Sequence, residues 1–309
     1  MASASLKHIA RQELARRSLP GGGIADQVRG RFRTDATGWG ILTLCAAGVE
    51  HGLIETHRAR LVREQDENGR ICMDSQHPES YWPTTLAILA WQSSLPSRSA
   101  QDHAVQFLLE AAGNQYPRKP DDPWAHDTTL RGWPWIQATH SWVEPTALAV
   151  IALKAAGHAQ HGRVHEAIRM IVDRQLPHGG WNYGNTLVFG RELHPMPEST
   201  GAALAGLAQV AGKDQVARSL VYLEGEVDRL RTPISLGWSL LGLAAWNRRP
   251  SNTTALVERC LKYQSRYGEY ETSALCLLLL GALTNDRETG TTALLSCASE
   301  PRGLSSLSH

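Results

Sequence analysis

One acid, Glu144, stands at the start of an apolar segment and beside tryptophans. The stretch HSWVEPTALA places it two residues after Trp142, and RGWPWIQ brings Trp133 and Trp135 just upstream. A carboxyl group against indole rings loses hydration, so its pKa rises and it can stay protonated near neutral pH. Glu144 is therefore the candidate general acid. The alternative role is a helix cap, in which the carboxylate accepts backbone N–H groups of its own helix.

Two further acids, Asp127 and Glu198, are candidate catalytic residues. Glu198 begins the segment ESTGAALAGLAQVAG, and Asp127 lies in KPDDPWAHDTT. Glu144 with Glu198, or with Asp127, would also form the carboxylate pair that glycoside cleavage uses, and their separation would set its stereochemistry. Asp35 and Glu271 begin similar apolar segments, and capping is the expected alternative for every acid at such a start.

Aromatic and histidine side chains collect on the connections that enter these segments. Indole rings stabilise a carbocation through their quadrupoles, stack on sugars, or simply fill a core. The candidate substrate-binding residues are Trp82, Trp133, Trp135, Trp142, His126, His140, His194 and Tyr183.

Two polar loops carry residue types that metals use. The zinc-type set is Cys72, Asp74 and His77, and the magnesium-type set is Asp121, Asp122, His126 and Asp127. Their spacing fits no short ligand motif, and chance placement in a solvated loop is the alternative. The sequence therefore predicts no metal site and no cofactor, with Zn²⁺ and Mg²⁺ as the ions left open.

A repeating helical pattern positions these residues. Six segments rich in Ala, Leu and Gly are apolar nearly all round, which is typical of helices buried on all sides. Amphipathic helices alternate with them, the first over residues 6–17. We predict an all-α (α/α)₆ toroid, a single domain over residues 1–309, with an open solenoid as the alternative. The inner helices are predicted to start near Asp35, Trp82, Glu144, Glu198, Pro233 and Glu271.

Parallel inner helices would open all their N-termini at one end of the barrel, which we call the mouth. The connections entering that end are long, over residues 66–80, 114–141 and 176–197. Connections of this length in a compact domain are usually functional or disordered, and the Trp, His, Asp and Pro in these favour function. Helix N-termini also suit an anion such as a diphosphate. The mouth is therefore the predicted site.

One spacing, Q-x-x-x-G-x-aromatic, recurs where outer helices end. Glycine supplies the left-handed residue that stops a helix, and the glutamine amide can cap backbone groups of the next helix. We predict a structural staple between outer and inner helices. The three copies are Gln175, Gly179 and Trp181, then Gln264, Gly268 and Tyr270, and a weaker one at Gln65, Gly69 and Ile71.

The Q-x-x-x-G-x-W spacing and the acid-x-Thr-Ala helix starts resemble the prenyltransferase/squalene oxidase repeat family, with its squalene–hopene cyclases and protein prenyltransferase β-subunits. The resemblance runs from about Asp35 to about Ala282. It implies an α/α toroid with an isoprenoid or polyprenyl substrate in an aromatic-lined cavity. In these cyclases the second acid of D-x-D-D-T-A supplies the proton. Aligning Thr146 and its following Ala puts Glu144 on that acid, whereas Trp142 and Pro145 occupy the other two acid positions.

Three function classes follow from these patterns. The first is a terpenoid cyclase-like enzyme with Glu144 as acid. The second is a non-catalytic toroid that binds a lipid or peptide, and the third is a carbohydrate-active (α/α)₆ enzyme. The chain lacks the Asp-x-Cys zinc pair of the prenyltransferases and the D-D-x-x-D motif.

Composition limits partners and compartment. The 309 residues carry a net charge of +1 with no basic stripe, which argues against nucleic acid. Five cysteines without a C-x-x-C pair and no secretory h-region predict a reducing, cytoplasmic setting, with Cys45 and Cys276 as small buried hydrophobes. The N-terminal stretch is expected to be the first outer helix or a peripheral membrane contact. The expected partner is a hydrophobic small molecule, and the oligomeric state stays open.

Overall fold

The computed structural model describes residues 2–119 and 121–283, most of which are helical. One two-stranded antiparallel sheet, β1 (Leu187–Val188) with β2 (Arg191–Glu192), lies in this described part and was not predicted. A short 3₁₀ turn, Val227–Arg229, follows the ninth helix. The helices are α1 (Ala2–Arg17), α2 (Thr34–Ala46), α3 (His51–Arg63), α4 (Pro83–Ala90), α5 (Arg98–Glu110), α6 (Val143–Ala155), α7 (Gly162–Asp173), α8 (Pro197–Leu207), α9 (Lys213–Glu226), α10 (Pro233–Ala244), α11 (Thr253–Lys262), α12 (Gln264–Tyr267) and α13 (Thr272–Leu283).

Six buried helices form a closed ring. In order around the ring they are α2, α4, α6, α8, α10 and α13, and α13 packs back against α2. The amphipathic helices α1, α3, α5, α7, α9 and α11 lie against this ring from outside. The protein is therefore an all-α toroid of the predicted (α/α)₆ kind, and the open solenoid is wrong.

The N-terminal segment is an outer helix of this ring. Helix α1 starts at Ala2, four residues before its predicted start, and packs on α2 and α13. Its apolar stripe, Leu6, Ala10 and Leu14, is buried. No helix in the described part of the chain combines the length and apolar character needed to span a bilayer.

A repeated pair of hydrogen bonds sets the register of the inner helices. The Trp133 amide donates to Thr146 Oγ1 over 2.9 Å, and that hydroxyl lies 3.3 Å from the Trp133 carbonyl oxygen, to which it donates. We call such a pair a threonine tie. Because the tie fixes the first turn of the helix, it also fixes the residue two positions earlier. Among the described residues, such ties join Thr37 to Ile24, Thr84 to Ile71, Thr146 to Trp133 and Thr200 to Trp181.

The glutamines of the repeated spacing contact the next outer helix. Gln175 Nε2 donates to Ser219 Oγ on α9 over 2.7 Å, and Gln65 Nε2 donates to the Ala100 carbonyl on α5 over 2.8 Å. Gly179 has φ +100°, and a Cβ there would clash with the α9 backbone. The predicted staple between outer and inner helices is therefore, for these two glutamines, a staple between consecutive outer helices.

Among the described cysteines, Cys45 is disulfide-bonded, whereas Cys72, Cys260 and Cys276 are free. Cys276 is buried, as predicted, whereas Cys45 is only partly buried and is disulfide-bonded, so its prediction as a small buried hydrophobe is wrong. Cys72 and Cys260 are free thiols. Cys297 lies outside the described residues.

Candidate active site

Glu144 occupies the first turn of α6 and points toward the barrel interior. Its Oε1 accepts the Trp238 indole N–H over 2.9 Å, a bond that reaches from α6 to α10 across the intervening α8. Burial is the main cause that raises the pKa of Glu144 to about 7. The negative charge of Glu198 raises it further, and the Trp238 bond lowers it. Near neutral pH this carboxyl group can therefore both donate and accept a proton.

Glu198, in the first turn of α8, is the second carboxylate of the mouth. Its Oε2 accepts the Ser235 hydroxyl over 2.8 Å, and its Oε1 accepts the Tyr183 hydroxyl over 3.3 Å. Burial, and next the charge of Glu198, raise the pKa of Tyr183. The structure thus brings together Glu144, Glu198 and Tyr183, three of the residues predicted from the sequence.

A third acid, Asp35, is buried at the start of α2. It forms a bidentate pair with Arg33, with N···O distances of 2.8 and 2.9 Å, and accepts the Ser273 hydroxyl from α13 over 2.8 Å. Like Glu144 and Glu198, it bonds to side chains rather than serving its own helix as a cap. The contacts of these three acids therefore do not support the capping alternative.

Two buried indoles meet in the barrel interior, each about one turn into its own helix. Trp39 of α2 and Trp238 of α10 pack edge to face with ring centroids 5.8 Å apart, and both are buried. Because α13 separates α2 from α10 in the ring, this contact crosses the interior. The mouth is thus a polar layer above an indole floor.

Further tryptophans lie where the long connections enter the inner helices. Trp82 and Trp135 pack edge to face at 5.4 Å, and Trp142 lies 4.5 Å from the His140 ring. These rings are partly accessible, as rim residues are. Trp133 is different: it is buried and donates its indole N–H to Leu108, so it contributes to packing between helices rather than to the rim.

The other predicted residues lie apart from the mouth acids. Asp127 accepts the Thr129 amide and hydroxyl over 2.9 and 2.6 Å, which closes a turn of its own loop. His194 is exposed. His126 and His140 line a separate cavity, described below.

No metal centre is evident in the described part of the chain. Within residues 2–119 and 121–283, no three His, Cys, Asp or Glu side chains converge to hold an ion. In the zinc-type loop, His77 Nδ1 lies 2.8 Å from Asp74 Oδ1, a pairing that needs no metal.

A second cavity of about 200 Å³ lies between the α5–α6 connection and the end of α7. We call it the Arg174 cavity. Its walls include Tyr116, Trp124, His126, His140, Arg174 and Asn185. Only His126 and His140 among them were predicted as binding residues.

The sequence also offered signals for the mouth residues that were missed. Trp39 and Trp238 each lie inside an apolar segment, about one helical turn after its start, and Ser235 precedes Trp238 by three residues. Residues three or four apart share one helix face. Trp39 therefore lies on the same face as Asp35, and Trp238 on the same face as Ser235. Which face looks inward is set by the closed ring.

Comparison with known proteins supports the fold. No family model and no curated protein matches the sequence. Among solved structures, the chain is similar to a protein from Actinoplanes, at 15% identity over 91% of this chain and 100% of that one, with a TM-score of 0.57. It is also similar to a variant of type II terpene cyclase MstE from Scytonema in complex with geranylgeranyl dihydroxybenzoate, at 12% identity over 91% and 97% of the two chains, with a TM-score of 0.57. A further neighbour is an alpha-amylase from Clostridium perfringens, at 10% identity over 93% and 98%, with a TM-score of 0.61. At these identities the likeness establishes the α/α toroid alone.

Proposed function

We propose that this protein is an acid–base enzyme in which Glu144 donates a proton to an isoprenoid substrate bound in the mouth. The observation that carries the proposal is the setting of Glu144: a half-buried carboxyl group in the first turn of α6, bonded to Trp238 across the barrel, with a pKa of about 7 and the carboxylate of Glu198 nearby. A general acid works best when its pKa is close to the working pH.

The rings around Glu144 support an isoprenoid as the substrate. Trp238 contacts the acid directly, Trp39 adjoins Trp238, and Trp142 precedes the acid by two residues. Indole faces attract a developing carbocation, and their apolar surface suits a hydrocarbon chain. A structure of a toroid neighbour, a variant of MstE, is in complex with geranylgeranyl dihydroxybenzoate, a compound with such a chain.

The proposed reaction balances within the mouth. The O–H proton of Glu144 adds to one carbon of an alkene, whose electron pair forms the new C–H bond and leaves a carbocation. The Trp238 N–H stabilises the resulting Glu144 carboxylate. After ring closure or a shift, Glu198 accepts a proton from a carbon next to the cation, which restores a C=C bond. A proton passed back to Glu144, directly or through water, completes the cycle.

Glycoside cleavage is a second candidate, and the pairing of Glu144 with Glu198 favours it. One acid and one carboxylate at the starts of adjacent inner helices are the two groups that glycosidases use. The polar layer above the indole floor also suits a sugar, and the alpha-amylase neighbour has the same fold. In this reaction Glu144 would protonate the leaving oxygen, and Glu198 would act as base or nucleophile.

Turnover in D₂O separates these candidates. Polyprenyl chains, with and without diphosphate, are incubated with the protein, and an α-linked oligosaccharide is incubated in parallel. Proton-initiated isoprenoid chemistry places deuterium from Glu144 on a product carbon, visible by mass spectrometry. Cleavage of the oligosaccharide instead releases a reducing end.

Variants then test the assignment of the acid. We expect Glu144→Gln to keep the fold and slow turnover by about 10²-fold or more, the usual contribution of a general acid. Glu67→Gln is the matched control, because it makes the same change at an exposed position distant in sequence from Glu144. Turnover at the parental rate in the Glu144 variant would remove this residue from the mechanism. Binding of a polyprenyl chain without turnover of either substrate would instead indicate the non-catalytic toroid.

A further inference from the structure

Two buried polar atoms in the Arg174 cavity lack partners. Nδ1 of His126 and Nε1 of Trp124 are inaccessible, and neither has a hydrogen-bond partner among the described residues. His126 itself is only 5% exposed. Most buried polar atoms in native proteins are hydrogen-bonded, and each exception needs an explanation, such as a ligand that supplies the missing bond.

The cavity also holds a buried positive charge. Arg174 is 5% exposed, and its Nη1 donates to the Gly184 carbonyl over 2.6 Å. Its Nε lies 3.8 Å from the Asp173 carboxylate, which is beyond hydrogen-bond distance. A guanidinium carries five N–H donors, so these contacts leave capacity for an acceptor inside the cavity.

The electrostatic field at the cavity favours an anion. Burial first, and then the charges of Arg174, His140 and Arg118, lower the pKa of His126 to about 4, although Asp127 acts in the opposite direction. His126 is therefore neutral at pH 7. The residues that line the cavity, within the described ranges, include no acid.

The walls select a flat ring. The side chains of Tyr116, Trp124, His126 and His140 supply aromatic surface to its lining. An engineered cavity of about 150 Å³ is known to hold benzene, so the volume of about 200 Å³ found here accommodates one substituted six-membered ring. An arginine fork matches the two oxygens of a carboxylate.

We infer that the Arg174 cavity is a binding site for a small aromatic carboxylate, with the ring between the aromatic walls and the carboxylate on Arg174 and the Trp124 N–H. This cavity adjoins the mouth rim through the contact between His140 and Trp142, but neither Glu144 nor Glu198 lines it, and the inference does not rest on the proposed function.

Calorimetric titration of the full chain with benzoate at pH 7 tests the site. We expect saturable binding with a Kd of about 1 mM or tighter. Benzamide has the same shape without the charge, and should bind at least about tenfold more weakly, because a charged acceptor roughly doubles the strength of the hydrogen bond. Inorganic phosphate should not compete, since it leaves the aromatic walls uncovered.

Variants locate the binding. Trp124→Phe keeps a ring and removes the N–H, and should weaken benzoate binding by about tenfold. Arg174→Gln should abolish it, with circular dichroism to verify folding. Arg229→Gln, an exposed arginine elsewhere, and Trp82→Leu, at the mouth, should leave it unchanged. If Arg174→Gln does not fold, the Trp124 variant decides alone. Absence of saturable binding, equal affinity for benzamide, or binding unaffected by Trp124→Phe would overturn the inference.

Discussion

The carboxyl group of Glu144 has one indole donor, from Trp238, where an exposed glutamate would have water. One neutral hydrogen bond does not replace the lost hydration of a charged carboxylate, so the protonated form is favoured and the pKa rises. The same balance keeps the residue partly protonated near neutral pH and makes it a source of instability when it ionises.

This balance predicts a pH-dependent stability effect. The folded pKa of Glu144, about 7, lies above its ordinary value of 4.5, so the native state binds more protons between these pH values. The contribution of Glu144 to stability is therefore present below pH 4.5 and lost as pH rises toward 7, by about 3 kcal/mol. Glu144→Gln lacks this loss. When the free energy of unfolding is measured with urea at pH 5 and pH 8, the variant should be more stable relative to the parent at pH 8 than at pH 5.

The exposed Glu67→Gln is the control for that measurement, and it should follow the parent at both pH values. A Glu144→Gln variant whose unfolding free energy differs from the parent by the same amount at pH 5 and pH 8 would mean that the carboxyl group is hydrated in solution.

Sequence patterns predicted the acid for a partly different reason from the one the structure gives. Trp133 lies upstream of Glu144 in sequence but packs outward against Leu108, whereas the indole that holds the acid is Trp238, 94 positions away. The local sequence pattern predicted only that an acid stands at the start of this inner helix. The partner across the barrel depends on ring closure, which no local pattern encodes.

At the scale of elements, the threonine ties connect fold and site. Each tie fixes the first turn of an inner helix, and the residue two positions before the threonine then lies at the mouth. Those positions hold Asp35, Trp82, Glu144 and Glu198. The acid-x-Thr spacing seen in the sequence thus has a structural cause, in which the threonine fixes the first turn of the helix and the acid two positions earlier then lies at the mouth.

Removal of one tie should be costly. Thr146→Val preserves shape but leaves the buried Trp133 amide and carbonyl without their hydroxyl partner. We expect a loss of about 1–3 kcal/mol in unfolding free energy, the usual penalty for an orphaned buried group. Urea unfolding measures it. Thr139→Val, at an exposed hydroxyl, is the matched control and should cost much less. Equal losses in both variants would contradict the structural role of the tie.

Helix positions were easier to predict than the contacts between helices. The inner helices begin at Thr34, Pro83, Val143, Pro197, Pro233 and Thr272, close to the acids, prolines and tryptophans used to place them. The predicted partner of the glutamine staple was wrong for Gln65 and Gln175, which bond to the next outer helix instead of the inner one. The side-chain amide can bond to any neighbour within its length, and the sequence does not show which neighbour that is. The β1–β2 hairpin was missed because strands of two residues carry no alternating pattern.

At the scale of the whole molecule, the toroid separates two chemical environments on one side. The mouth has acids above indoles, and the Arg174 cavity has a cation among rings. The long connections 111–142 and 174–196 supply the walls of the Arg174 cavity and rim residues of the mouth, whereas the mouth acids and indoles stand on the inner helices. The ring supplies rigid helix starts, and the connections supply side chains that differ from repeat to repeat.

The indole of Trp238 links three helices of the ring, because it packs on Trp39 of α2 and donates to Glu144 of α6. Trp238→Phe keeps an aromatic ring in the floor and removes the N–H. Because this bond lowers the pKa of Glu144, its loss should raise that pKa above about 7. The pH at which Glu144 ionises, followed by carbon-13 NMR of labelled glutamate or by the turnover profile, should move upward. Trp246→Phe is the matched control, since Trp246 donates its indole N–H over 2.8 Å to a backbone acceptor, the Leu204 carbonyl, and not to an acid. Both variants lose one buried indole bond, so both should lose similar stability, but only the first should shift the ionisation of Glu144. A shift in both would make it a general consequence of loosened packing, and a shift in neither would show that Glu144 is not held by Trp238 in solution.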